Sequence, residues 1–472
     1  MGIDNGELAI KRTAGAHELM PYPYDSSADI LARVSLGGGA PRDLLTGVEA
    51  ADWSPNGQLA VVRRVNDKAR LEFPVGKVLY ETTGSISSPR FAPGGALIAF
   101  LDHPVNPDDR GSVAVVDLKG NKRTISSFWE SERGLAWSPN GDEVWFAATR
   151  SGVGRALYAV TLSGQERRLL SVAGGLSLHD VARDGRVLLT QDNSRLGVQF
   201  VGPGLSEPRE LSWLNWSMVA GISPDGRQPL FGEEGENAGL SYQVGLRQTD
   251  GSSPVILGEG IAQSLSPDGN WALSVVPPPD DQLLLLPTGP GNPKPLERGP
   301  IDHYQFIRAG WFPDGKHVFF AANEAGHEQR CYMQSIDGGK PQPLTPEGIA
   351  YCSVAPDGTL LALTVDFRAQ VYLPGDRTKP QMEIQWNKGE VPIGWTRDSR
   401  FLYLVESARQ PLSIVRLELA TGKRQLWKQM PAPPANTQIK GDDDMAITPD
   451  GQSYAYTYEF CLSDLYLVRG LK

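Results

Sequence analysis

Cysteine is scarce in this chain, with three residues in 472, at positions 331, 352 and 461. An odd number with no Cys-x-x-Cys spacing supplies neither a zinc pattern nor a disulfide framework, so Cys331, Cys352 and Cys461 read as packing residues of strands. Long apolar runs are missing as well. A stretch such as residues 96–101 is far short of the roughly 20 residues that a membrane-spanning helix needs, so no membrane span is expected. Positive charge is outweighed, 45 Lys and Arg against 55 Asp and Glu, for a formal charge of −10. No basic stripe offsets that balance, which excludes a nucleic-acid backbone as the general partner. Helical periodicity of useful length is absent. The opening MGIDNGELAIKR lacks an apolar core and a cleavage-type ending, so the chain as given encodes no secretory signal, and work outside the cytoplasm would require a segment upstream.

What is abundant is punctuation. The chain carries 52 Gly and 37 Pro without low-complexity bias, at 40% hydrophobic residues, and punctuation of that density implies many short elements. Residues 304–348 show the unit most completely. An aromatic inner segment ends at Pro313-Asp314-Gly315, where Pro sets φ, Asp bonds the backbone ahead and Gly accepts positive φ. Val318-Phe319-Phe320 and Cys331-Tyr332-Met333 follow, then a turn at Asp337-Gly338-Gly339 and an outer segment closing on Leu344-Thr345. Four strands joined by hairpins make one small antiparallel sheet.

The same inner-strand and turn pattern recurs at glycines 57, 95, 141, 185, 226, 269, 315 and 358, at Ser399 and at Gly451. The successive spacings are 38, 46, 44, 41, 43, 46, 43, 41 and 52 residues, the period of propeller blades. Asn5-Gly6 reads as an eleventh, degenerate turn without an inner strand before it. The expected fold is therefore all-β, a β-propeller of four-stranded antiparallel blades with ten to eleven repeat units. Because single rings hold about four to eight blades, two rings are expected. Six units counted back from Gly451 place the first ring at 1–210, incomplete at its N-terminus if residues precede Met1, and the second at 211–472. One unusually large ring is the alternative. At the C-terminus, second and third strands are expected around residues 455–458 and 464–468, with the outer strand borrowed from elsewhere.

The Ser-Pro-Asp-Gly and Ser-Pro-Asn-Gly turns followed by apolar strands resemble the WD-like repeats of TolB-type propellers over nearly the whole chain. Residues 51–57, 71–80 and 134–139 and the ending LSDLYLVRGLK are similar to the C-terminal propeller region of bacterial eukaryotic-like serine/threonine protein kinases. That resemblance implies a cytoplasmic kinase, a membrane span and an extracytoplasmic, periplasmic propeller that senses or binds something. The chain itself has no VAIK lysine strand, no HRD loop and no DFG segment, so no phosphoryl transfer carries over and a kinase label would belong to a missing N-terminal domain.

Catalytic constellations are equally sparse. No Gly-x-Ser-x-Gly elbow occurs, and Gly37-Gly38-Gly39-Ala40-Pro41 lacks the lysine and spacing of a phosphate loop. The turn aspartates Asp225, Asp268, Asp314, Asp357 and Asp450 read as backbone ties, and Trp53, Trp137, Trp311 and Trp395 as packing between blades. His179 and Asp180 point to opposite faces of a strand. The acidic runs at 106–109, 233–236 and 442–444 read as solvated turns without calcium-loop spacing. The place left for binding is the axial funnel of a propeller. Arg90, Arg133, His179, Gln263, His303 and Tyr351 lie at or just before the starts of inner strands and are the candidate ligand contacts. The expectation is a non-catalytic module for a protein, peptide or small ligand, with no cofactor and no metal. The alternative is an enzyme, a lyase or hydrolase, with its active site in that funnel.

Overall fold

The computed structural model describes residues 3–4, 7–13 and 29–471, apart from 66–67, 105–107, 153, 236–237, 239–241, 278–279, 365–367, 376, 378, 388, 407–410, 431–432, 435 and 441–443. Every regular element among the described residues is a β-strand. Nine sheets are four-stranded antiparallel meanders of consecutive strands. The expected eleventh turn, Asn5-Gly6, lies outside the described residues. The strand Ile3–Asp4 nevertheless pairs with Glu7 and Leu8, so the first sheet has the inner strand that the sequence reading left out.

The described residues divide into two compact units, one of residues 3–4, 7–13, 29–194 and 461–471, the other of residues 195–460. The repeat count placed the division at 210/211. Two fifteen-residue strands, Val187–Val201 and Tyr454–Val468, each contribute to both units. In the first unit, residues 187–194 lie between Gly175–Val181 and residues 461–468. In the second, residues 195–201 lie between residues 454–460 and the strand Arg209–Glu210. The strands borrowed at the C-terminus are therefore these, and the separate segments expected there are halves of one continuous strand.

The middle strands are buried on both faces, as in Glu143–Thr149 and Leu360–Thr364, and neighbouring sheets meet in apolar cores. In the first unit, four cores join five successive sheets, centred on Leu31 and Trp53, Leu71 and Phe91, Trp129 and Trp137, and Trp145 and Leu178. In the second unit, six cores join six sheets. The last of them, with Val198, Phe200, Ala446 and Ala455, packs on Val219 of the unit's first complete sheet. Val219 also donates its N–H to Thr457 Oγ1 at 3.0 Å. Trp137 and Trp395 are buried and tie neighbouring sheets, Trp137 Nε1 donating to Arg90 O at 3.0 Å and Trp395 Nε1 to Ser353 Oγ at 2.8 Å. An indole satisfies its polar edge this way while burying its apolar body.

The recurring turn is a side-chain clamp. Ser266 Oγ donates to Asp268 Oδ1 (2.5 Å) and accepts the Trp271 N–H (3.0 Å), while Gly269 N–H closes on Ser266 O (2.9 Å). Gly269 has φ +73°, which explains glycine there. Thr396 and Thr448 replace the serine in two turns and donate to Asp398 and Asp450. Hydroxyl donation holds the carboxyls of Asp225, Asp268, Asp398 and Asp450 below their ordinary value of 3.8, aided by backbone N–H groups. A depressed folded pKa contributes stability above the unfolded value and loses it as pH falls through the folded one. Urea midpoints are therefore expected to drop as pH falls below about 4, and Ser266→Ala to make that drop shallower.

Two sequence expectations are corrected. Cys331 and Cys352 are buried strand residues, but they form a disulfide. Cys331 sits in the third strand of one sheet and Cys352 in the first strand of the next, with Cα atoms 6.5 Å apart. Spacing along the chain does not reveal that facing across two sheets. Glu233 is also no solvated turn residue. It is fully buried and accepts from Leu214 N, Trp216 N, Gly235 N and Ser217 Oγ, because a preceding loop folds over the end of its strand, Pro229–Glu233. Asp108 pairs with Arg110 at 2.6 Å, and Asp109 accepts from Ser131 Oγ. Residues 106–107, 236 and 442–443 of the acidic runs lie outside the described residues.

Candidate functional site

Inner strands carry an irregularity that positions the site. In the first unit, Ser88 and Pro89 together oppose Phe100, Arg133 and Gly134 oppose Ala147, and His179 is the extra residue between Leu178 and Asp180. In the second, the extra residues include Gln263 and Ala350, beside Tyr351, and Asp302, beside His303. A bulge bends its strand and re-aims the extra side chain. All six candidate residues thus lie within inner strands, at or next to a bulge, and not at or before the strand starts.

Three of the six come together in the first unit. A pocket of about 440 Å³ is lined by Ser88, Arg90, Arg133, Gly134, Ser177, Leu178, His179, Thr190 and Asp192. Three inner strands meet there. Gly134, at φ +78°, lets its strand approach the Leu178 backbone so closely that a Cβ would overlap the Leu178 carbonyl. Ser88 holds φ at 50°, a costly conformation for a residue with a Cβ and one found at ligand sites.

The polar groups divide into those already used and those available. Arg90 is half-buried and donates to Pro89 O (2.9 Å) and His179 O (3.1 Å), fastening one inner strand to another. His179 Nε2 lies 3.2 Å from Thr190 Oγ1, and Asp180 accepts the N–H of Val181, so His179 and Asp180 form no acid–base pair. Asp192 accepts from Ser177 Oγ (2.6 Å) and Ser463 Oγ (2.7 Å). Burial pushes its carboxyl up, but those hydroxyls and the guanidinium groups of Arg155 and Arg133 outweigh burial and hold it below the ordinary range. Arg133 is exposed and, beyond its charge acting on Asp192, makes no hydrogen bond or ion pair among the described residues. The pocket therefore presents one open guanidinium, an imidazole edge and serine and threonine hydroxyls around a saturated carboxylate.

The other three candidates stay apart from that pocket. Gln263 is buried, its Oε1 accepting Ala309 N–H at 3.1 Å. His303 Nδ1 is 3.3 Å from Asp281 Oδ2, which Arg298 Nη2 also meets at 3.0 Å. Tyr351 is half-buried against the core of Leu361, Trp395 and Leu404. Sequence reasoning missed Ser88, Gly134, Ser177, Thr190 and Asp192. The polar alternation Ser177-x-His179 and Thr190-x-Asp192 on paired strands was the available signal, since Ser177 and Thr190 are direct partners. Among the described residues no group of three or more His, Cys, Asp or Glu could hold a metal ion, and no helix is long and apolar enough to cross a membrane.

No family model matches the chain, and no curated protein matches it. Solved structures do. One is a chain from a structural and mechanistic analysis of two prolyl endopeptidases, 14% identical, with 75% of this chain and 51% of that chain covered at a TM-score of 0.31. Another is TolB from Acinetobacter baumannii, 17% identical, with 70% of this chain and 61% of that chain covered at a TM-score of 0.22. The chain thus spans about half the length of the endopeptidase chain, and at these scores neither likeness carries an argument about function.

Proposed function

We propose that this chain is a non-catalytic β-propeller module that binds an acidic ligand, a protein or peptide carboxylate, in the pocket of its first unit. The observation that carries the reading is Arg133, an exposed guanidinium in a concave site that acts on Asp192 through its charge and makes no hydrogen bond or ion pair among the described residues. A planar fork of donors next to hydroxyls matches a carboxylate in shape and charge. The positive character is local, because the chain as a whole carries a formal charge of −10. An enzyme reading is less favoured, because the lining holds one histidine and one carboxylate, and the carboxylate is taken up by Ser177 and Ser463.

The propeller reading is supported by the cores. Among the described residues, six cores serve six sheets in the second unit, which is the count for a closed ring, and four cores serve five sheets in the first, the count for an open arc. The Cys331–Cys352 disulfide supports an oxidising compartment, in keeping with the extracytoplasmic sensor role that the sequence resemblance implies.

Calorimetric titration with acetylated acidic tetrapeptides, ending in a free carboxylate or an amide, tests the site. The free carboxylates are expected to bind more tightly. Arg133→Ala is expected to cost about 1.5–3 kcal/mol, roughly tenfold or more in Kd, as for a hydrogen bond to a charged group. Equal binding by both peptide forms, or by the variant, would remove the assignment.

A further inference from the structure

Among the described residues, the last sheet of the first unit has three strands. Nine other sheets close with a fourth strand. Here the sheet consists of Gly175–Val181, residues 187–194 and residues 461–468, and among the described residues no strand pairs the outer edge of residues 461–468. Third strands elsewhere are largely buried, as in Ser112–Asp117 and Ala156–Thr161. This one is exposed throughout from Cys461 to Leu467, with Leu462 at 44%, Leu465 at 65%, Tyr466 at 46% and Leu467 at 57%. An edge of that length without lysine, proline or bulge, with Asp464 as its one charge, has little of the usual protection against another strand.

We propose that this edge is a β-augmentation site for a basic, extended peptide segment of a partner protein, which adds as the fourth strand. The chain's own outer strands supply the chemistry of the occupant. Lys122 of Lys122–Thr124 pairs with Asp102 of the second strand of its sheet. Arg167 of Glu166–Leu170 meets Glu143 at 2.7 Å, and Arg424 of Arg424–Gln429 meets Glu390 at 2.7 Å. In these three sheets the outer strand brings a cation to a carboxylate on the second or first strand, and in a fourth Glu81 of the outer strand Val78–Thr82 meets Lys68 and Arg70 of the third strand, so an outer strand carries the charge complementary to the one it meets. On the open edge the waiting carboxylate is Asp464, exposed and without a hydrogen bond or ion pair among the described residues. Because successive residues face opposite ways, Leu462, Asp464 and Tyr466 share one face and Ser463, Leu465 and Leu467 the other. The segment that fits alternates Lys or Arg, set against Asp464, with apolar residues set against Leu465 and Leu467. Main-chain hydrogen bonds supply affinity and the alternation supplies selection.

The test uses the full chain and two acetylated, amidated octapeptides, one alternating Val with Lys and one Val with Glu, read by fluorescence anisotropy and by hydrogen exchange of the amides at 461–468. The Val-Lys peptide is expected to bind and protect those amides. Asp464→Lys, an exposed substitution, should weaken it about fivefold and turn the preference towards Val-Glu, and Leu465→Pro should abolish binding. Arg133→Ala should leave it unchanged, which separates this edge from the pocket. Protection that needs no peptide and grows with protein concentration, with a dimer by light scattering, would give the edge to a second copy and overturn the proposal. Equal binding of both peptides, or no protection with either, would overturn it too.

Discussion

Serine at Cys331 or Cys352 is expected to lower the stability of the second unit by about 3 kcal/mol, the loop-closure value for a cross-link between residues 21 apart. The bond joins the third strand of one sheet to the first strand of the next, so its loss acts on the contact between sheets and not within one. Both cysteines also belong to the apolar core of Phe319, Leu360 and Tyr372, which the serine hydroxyl would enter unpaired. Thermal scans with and without reductant measure the effect. The double variant should match the reduced parent and ignore reductant, and Cys461→Ser, at an exposed free thiol, should change nothing. A reduced parent that melts with the oxidised one would show that the cross-link contributes no stability.

Gly134→Ala is expected to cost about 3–5 kcal/mol in the first unit, combining the left-handed backbone penalty with an overlap that cannot relax. The alanine Cβ would overlap the Leu178 carbonyl oxygen and lie 2.7 Å from its carbonyl carbon, and both are backbone atoms of the neighbouring inner strand. Gly185 provides the control, with φ +80° and open space around its Cβ position, so Gly185→Ala should show the backbone penalty alone, about 1 kcal/mol. Urea unfolding of both variants separates the two contributions. Because Gly134 sets the distance between Arg133 and His179, carboxylate binding should fall in the first variant and persist in the second. Equal midpoints for the two would mean that the strands separate at little cost.

Much of the sheet architecture was legible because it is local. A Ser-Pro-Asp-Gly turn encodes its own hydrogen bonds, as Ser266 with Asp268 shows, and a turn every forty-odd residues dictates a series of hairpin sheets. The tryptophans beside those turns were readable as packing residues for the same reason. Recurrence also pointed to the inner strands as the place to look for a site, and Arg90, Arg133 and His179 do line one pocket. Their position inside the strands was not legible, since a bulge depends on register with a partner strand. Gln263 and His303 show the converse, as equivalent repeat positions whose side chains are engaged by Ala309 and Asp281.

The amino-acid sequence by itself determined the unit: the turn that ends each inner strand, the apolar strand that follows it, and the period at which the two recur. Only the tertiary structure decided which distant segments share a sheet, that Cys331 meets Cys352, that Glu233 is enclosed, and that residues 461–468 finish the first unit while residues 454–460 serve the second. The physical reason is range. Turn and strand preferences are settled among residues a few positions apart, whereas a strand's partner, a disulfide and a filled or empty edge are settled by which surfaces meet once the sheets have stacked.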